Sequence, residues 1–245
     1  MKPTPTSENA PASLLAVGAH PDDIEFGCGG VVAKETRIGR SAHFVVCSQG
    51  EAASHGTPAD RKAEAERAAA MLGASIEFLA FDGDGHLEMR VSHAIAIAQV
   101  IRRAKPSVVL APTTVENQHP DHSRLGRLTR DAARLARYGG VEELRSLPPH
   151  AIDQLLFYAV TVEGEPRDVM PILVDVSEAE VMAAWTAAMA AHATQAAARN
   201  YVELQLTRAK LNGLRAGVGH AIALFANDPL VVDSVSDLRR AARRF

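Results

Sequence analysis

The residues best suited to chemistry lie in two short clusters, His20-Pro21-Asp22-Asp23 and, far along the chain, His119-Pro120-Asp121-His122. Two adjacent carboxylates at one point repel each other, and a divalent cation removes that cost. Adjacent side chains also diverge, so one Asp of the pair can bind an ion while its neighbour points at the ion's open face. His20 and Asp23 are three apart and can converge across a tight turn. His119 and His122 are also three apart and share a face on a first helical turn. One imidazole can ligate while the other lies alongside. Asp121 can accept the second ring N–H of a histidine, which fixes its tautomer and raises its basicity. Two His and one Asp, with the other positions open to water, is the ligand set of a catalytic zinc site rather than a structural one. Such an ion activates water and polarises a carbonyl. A spare carboxylate then serves as general base, and a spare histidine as acid or oxyanion donor.

The clusters can act together only if a scaffold brings them to one edge. Residues 13–18 and 42–47 are short continuous apolar runs, as expected of strands buried on both faces. Residues 76–81 and 107–111 are read as the third and fourth strands. Helical spacing covers residues 29–38, with a stop at Gly39, and about 59–72, ended by Gly73. Thr57 or Asp60 can cap the second helix, with Pro58 in its first turn. Ser92 caps a third helix over 95–103, and Pro120 opens a fourth that runs to about Tyr138. Strand and helix alternate four times through connections too long for hairpins. The expectation is an α/β fold, a Rossmann-like three-layer sandwich with a mostly parallel sheet. Ligands of such sheets bind beyond the carboxyl ends of the strands. The first cluster follows strand one and the second follows strand four. Polar loops at 48–58 and 82–86 follow strands two and three on the same edge. The first of these is longer than a connector needs, which marks it as a candidate substrate loop.

The last hundred or so residues read as an irregular α+β part. Residues 151–160 and 172–176 are strand candidates. Ser177 is read as the cap of an Ala-rich helix from 178 to about 215, broken near Arg199-Asn200. A turn at 217–220 precedes short strands at 222–225 and 230–232. Residues 1–11 carry three prolines and read as a disordered tail, and 12–245 as a single domain.

The bulk numbers narrow the function classes. The chain has 245 residues, 47 % of them hydrophobic, which is ample for a large core. Net charge is −3, and the basic run is limited to 239–244, a solvated helix end, so a nucleic-acid surface is excluded. Two cysteines exclude a disulfide framework and suit a reducing compartment. Cys28 and Cys47 read as buried residues. No apolar run reaches the ~18 residues of a membrane span, so the expectation is a soluble, cytoplasmic protein. Gly27-Cys28-Gly29-Gly30 does not fit G-x-G-x-x-G, and the nearby carboxylates would repel a pyrophosphate, which disfavours a dinucleotide site.

These motifs resemble the PIG-L/LmbE-like family of metal-dependent N-deacetylases, whose first motif reads approximately A-H-P-D-D-E and whose second reads H-P-D-H. Here they stand as Ala19-His20-Pro21-Asp22-Asp23 and His119-Pro120-Asp121-His122, with further likeness at Gly50-Glu51 and through Arg61-Lys62-Ala63-Glu64 to Gly73. The resemblance implies that His20, Asp23 and His122 bind Zn2+, with Fe2+ an alternative. It implies that Asp22 is the general base and His119 the acid or oxyanion partner, oriented by Asp121. Arg61 matches an arginine near the substrate, and Glu51 and His55 fall on the candidate substrate loop. The implied activity is hydrolysis of an N-acetyl amide, a linear C–N bond, on a small N-acetylglucosamine-type sugar or glycoside. A homo-oligomer is implied as well.

Ile24 stands where the family commonly has Glu, which comes one place later as Glu25. That form is more similar to the branch with the bacillithiol-pathway deacetylases. So is His192-Ala193-Thr194-Gln195, which is similar to an H-x-S-Q element there. His220 stands where that branch has a tyrosine, and the glutamate after it is missing. His220 is therefore a candidate substrate contact in the tyrosine's place. This departure motivates an alternative, a deacylase of a non-sugar or larger natural-product intermediate. A non-catalytic metal- or sugar-binding module is a third reading, and it would not need the spare base Asp22.

Overall fold

Strand residues alternate between two cores. Along β1 (Leu14–Gly18), Leu14 and Ala16 enter one core while Leu15 and Val17 enter the other. That is why the run is apolar throughout. In the computed structural model, which describes residues 13–116, 119–196, 200–238 and 240–242, the order continues with α1 (Asp23–Arg37), β2 (Ala42–Val46), α2 (Pro58–Met71), β3 (Ala74–Phe78), α3 (Val91–Ala104), β4 (Val108–Pro112) and α4 (Pro120–Arg137). Then come β5 (Gln154–Tyr158), β6 (Ile172–Asp175), α5 (Ala179–Ala190), α6 (Ala193–Ala196), α7 (Tyr201–Ala216) and β7 (Ala221–Ala226). The expected tail at 1–11 lies outside the described residues.

Among the described residues seven strands form one sheet in the order β3-β2-β1-β4-β5-β7-β6. β1 to β5 are mutually parallel, and β7 runs antiparallel to both β5 and β6. The α/β sandwich with a mostly parallel sheet is the architecture expected. One core lies under α1, α2, α5 and α7, the other under α3 and α4. β1 and β4 are neighbours although their next strands lie on opposite sides. The cleft beyond their carboxyl ends is therefore the topological switch point, where such sheets bind ligands.

Several local expectations need correction. α1 starts at Asp23, inside the first motif, not at Gly29. Gly27, Gly29 and Gly30 are helical residues that bulky neighbours require. A Cβ on Gly27 would lie 2.1 Å from the Tyr158 ring and one on Gly30 2.8 Å from Ile222. The third helix begins at Val91 with Arg90 as its N-cap, so Ser92 is inside it and not its cap. Ser177 does not cap α5. Glu178 holds that position, and Ser177 instead bonds Asp175 and the His220 backbone. The Ala-rich helix breaks at Asn200, the N-cap of α7, as expected, and also earlier, at Ala191-His192. Arg199 lies outside the described residues. Residues 230–232 form no strand. Their side chains are largely exposed, and no neighbouring strand pairs with them. Residues 240–242 are not helical, and Arg239, Arg243 and Arg244 lie outside the described residues.

Candidate active site

The first cluster is a tight turn locked by its own carboxylate. Asp23 Oδ2 accepts the N–H groups of Ala19 (2.8 Å) and His20 (2.9 Å), which folds the chain back onto the end of β1. Asp22, the N-cap of α1, sits between them at φ +133°. A non-glycine residue there is strained by roughly 1–3 kcal/mol, a state that persists only where surroundings enforce it. The consequence is that the two carboxylates part. Asp23 faces the histidines, while Asp22 faces Arg61.

The second cluster arrives on α4. Pro120 occupies its first turn, and His119 is the N-cap. α4 can come down onto the end of β4 because Gly126 has no side chain; a Cβ there would lie 2.3 Å from the Pro112 carbonyl oxygen. His119 and His122 then stack one turn apart, with ring centroids 5.2 Å from each other.

The donors meet. His122 Nε2 lies 3.3 Å from His20 Nδ1 and 3.1 Å from Asp23 Oδ1, and His20 Nδ1 lies 3.5 Å from Asp23 Oδ2. Corners of a tetrahedron with metal bonds of about 2.0–2.1 Å are roughly 3.3–3.4 Å apart. The three separations lie near that spacing, with Asp23 meeting the two histidines through different oxygens. His119 reaches the same space, grouping with His20 and His122, and a further group joins His20, Asp84, His119 and Asp121. All of these residues but His119 are buried, so the cluster is a water-poor pocket of donors able to hold a cation.

Charge in the pocket follows from these contacts. Burial opposes a charge on His20, yet Asp23, then Asp121 and Asp84, hold its pKa well above the usual range. Asp23 is itself buried, but the charges of His122 and His20 keep it well below. In effect protons supply the positive charge this site needs, and a metal would displace them. Asp84 is held far down by hydrogen bonds from His119 and His20. Asp22 behaves oppositely. Burial, and secondarily Asp23, push it up to about 6, against the pull of Arg61.

Each expected residue can now be located. His20, Asp23 and His122 are together. Asp121 meets a histidine ring, but it is that of His20, 3.4 Å from Nε2; its Oδ2 also accepts the Gly85 N–H. His119 Nε2 lies 3.4 Å from Asp84. Arg61 is buried, not a surface arginine of α2. Its Nη2 donates to Asp22 Oδ2 (3.1 Å) and to the Pro21 carbonyl (2.9 Å). Glu51 reaches the site at one remove, accepting the Asp84 N–H. His55 is exposed and enters through its backbone, whose carbonyl accepts from Gln195. His220 directly precedes β7, where its backbone bonds Val176 and Ser177. Its hydrogen bonds tie it to the β6–α5 connection rather than to the cluster.

Asp84 was not singled out by sequence, although its loop was. Asp82-Gly83-Asp84-Gly85-His86 offers two equivalent acids, and only the fold separates them: Asp82 pairs with Arg90 and His93, while Asp84 turns into the site. His192 and Glu25 were also missed as neighbours of Asp22. They form a buried contact of 3.4 Å, and the His192 charge reaches Asp22. Cys28 and Cys47 are buried thiols pushed up by desolvation, which makes them core residues.

A model of the family described as PIG-L, GlcNAc-PI de-N-acetylase, matches residues 15–133. The chain is 31 % identical over 158 residues to the diacetylchitobiose deacetylase of Thermococcus kodakarensis, covering 59 % of each. It is 31 % identical over 153 residues to the 4-oxalmesaconate hydratase of Pseudomonas putida, covering 56 % of this chain and 58 % of that one. The chain thus spans under three-fifths of the length of these curated relatives. Among solved structures, the conserved protein TT1542 from Thermus thermophilus superposes with a TM-score of 0.80 at 31 % identity, over 94 % of this chain and 100 % of that one.

Proposed function

This chain belongs to the PIG-L family, and from that premise we propose that it is a metal-dependent N-deacetylase of an N-acetylglucosamine-type sugar or glycoside. One observation carries the reading: the two adjacent aspartates part, so that Asp23 joins His20 and His122 while Asp22 is left beside the cluster with a pKa near 6. A module that only bound metal would gain nothing from a second, strained carboxylate.

His20, Asp23 and His122 would hold the ion, Zn2+ or Fe2+, both of which accept two imidazoles and a carboxylate. Bound there, it supplies a Lewis acid that activates water and polarises the amide carbonyl. Asp22 takes the proton of the attacking water; a base with a pKa just below neutral suits that task. Arg61 holds the Asp22 carboxylate in place. His119 donates a hydrogen bond to the developing oxyanion and then a proton to the departing amine. Asp121 and Asp84 fix the His20 and His119 rings. Asp84 and Arg61 also form the polar wall against which sugar hydroxyls would pack.

The hydratase relative motivates a second reading, water addition to an unsaturated polycarboxylate. The charge of the pocket opposes it. Asp22, Asp23, Asp84 and Asp121 all lie in or beside the cluster, and the buried guanidinium Arg61 is already paired with Asp22 and Asp84, so even with a divalent ion bound the balance favours a neutral substrate over a polyanion.

Acetate release should be measured on N-acetylglucosamine, its glycosides and a panel of non-sugar acetamides. Turnover of the sugar compounds is expected. Turnover confined to the non-sugar amides would replace the substrate class, and hydration of an unsaturated dicarboxylate without acetate release would replace the reaction. In the same preparations, elemental analysis should find His122→Ala depleted of metal.

A further inference from the structure

The loop between β2 and α2 is fastened from outside at both ends. At its start Gly50 takes φ +72°, and its carbonyl accepts from Arg61 Nη1 at 3.4 Å. A Cβ there would lie 2.1 Å from that nitrogen. At its end Gly56 takes φ +77°, and a Cβ would lie 2.6 Å from Thr194 Cγ2. Both positions need glycine twice over, for the left-handed backbone and for the close approach. Beside Gly56, Gln195 Nε2 donates to the His55 carbonyl at 3.1 Å.

The fastener on α6 is itself fixed. The Thr194 N–H and hydroxyl both donate to the carboxylate of Glu64, a buried residue of α2, at 2.9 and 2.7 Å. Hydrogen bonds to a buried charge are the stronger kind. Between the two fastenings Glu51 accepts the N–H groups of Gln49 and Asp84, at 3.1 and 3.0 Å. Contacts therefore run from Glu64 through Thr194 and Gln195 to the loop at 55–56, and the same loop carries Glu51, which meets Asp84, which in turn meets His20 and His119.

We infer that Thr194 and Gln195 are positioning residues that clamp residues 50–57 and, through Glu51, hold Asp84 where a substrate hydroxyl would meet it. This deepens the proposed deacetylase reading and rests on it for the substrate. The clamp reaches the reacting groups only at one remove, through the Asp84 contacts with His20 and His119, so its loss falls more on KM than on kcat.

The test uses full-length, metal-loaded Gln195→Ala, Thr194→Val and Thr194→Ser. Hydrogen exchange of peptides spanning 49–57 and 82–86 is measured beside steady-state kinetics. In Gln195→Ala and Thr194→Val, exchange in both segments should rise about tenfold, the loss of a hydrogen bond of ordinary net strength. KM should rise by a similar factor, with kcat within about threefold of wild type and metal content unchanged. Thr194→Ser keeps the bonds to Glu64 and loses only the Cγ2 packing on Gly56, so its exchange and KM should stay within about threefold of wild type. Unchanged exchange at 82–86, or a fall in kcat at constant KM, overturns the proposal. The exchange result stands even if no acetate is released, so failure of the clamp is distinct from failure of the functional reading.

Discussion

Two arginines sit on opposite edges of the same sheet, both almost sealed from solvent. Arg102, near the end of α3, is 1 % exposed, and Arg61, near the start of α2, is 4 % exposed. Arg102 donates only to main-chain carbonyls: those of Leu135, Ala136, Tyr138, Leu144 and Leu147. These include carbonyls at the end of α4 that have no partner within the helix. Its charge rests on dipoles and never changes. Arg61 spends part of its donor set the same way, on Pro21 and Gly50, but its remaining contacts are to Asp22 at 3.1 Å and Asp84 at 3.8 Å. Burial and residue type are thus shared, and the partners differ. At the amino-terminal edge a buried cation closes the fold. At the carboxyl-terminal edge it balances groups whose protonation would change during a reaction.

That contrast can be broken experimentally. The largest effect is expected at Arg61's partner. Asp22→Asn should lower kcat by about 10²–10⁴, the usual contribution of a general base, with bound metal retained on elemental analysis. It should not destabilise the protein. The folded pKa of Asp22 is raised from 3.8 to about 6, so its neutral form contributes stability that is complete below 3.8 and lost as pH rises through about 6. At pH 8 the asparagine variant should therefore melt higher than wild type in a thermal scan.

Arg102→Ala should have the reverse profile. Five carbonyls lose the guanidinium, of which Leu135, Ala136 and Leu144 keep a main-chain donor, at a cost of about 3 kcal/mol by urea denaturation, while kcat of the folded fraction is unchanged. Equal loss of kcat in this variant would mean the two edges are not separable. The smallest effect concerns Arg61 as counter-charge. In wild type, kcat/KM should rise with pH through about 6, as Asp22 ionises. Arg61→Gln removes the charge that holds Asp22 down, so this acid limb should move up by about one pH unit. A limb that stays in place would mean another group sets it.

Much of this organisation is legible before folding. The apolar runs, the helix repeats between them and the two His/Asp motifs have local causes, so both the sheet and the edge carrying the site follow from them. Where local signals failed, two features of equal standing competed. Asp82 and Asp84 flank one glycine, and Thr57 and Asp60 could each have capped α2; the fold uses both of the latter in a reciprocal capping box. The early start of α1 was hidden because three glycines oppose a helix by propensity. Packing against Tyr158, Trp185 and Ile222 outweighs that cost. Helical pattern alone could not tell Arg61 and Arg102 from surface arginines, because their partners lie in distant segments; the family resemblance marked Arg61, and nothing marked Arg102.

The amino-acid sequence by itself determined the ligand types, their spacing within each motif and the alternation that makes a parallel sheet. Those depend on neighbours a few residues apart. That Asp22 and Asp23 part follows from their adjacency, but only tertiary structure decided that Asp23 meets the histidines and Asp22 meets Arg61, that Asp121 turns to His20 and that Asp84 joins them. It also decided that a guanidinium from α2 is buried against the candidate base. These choices depend on burial and on charges brought together from far along the chain, where one low-polarity pocket makes every pairing count.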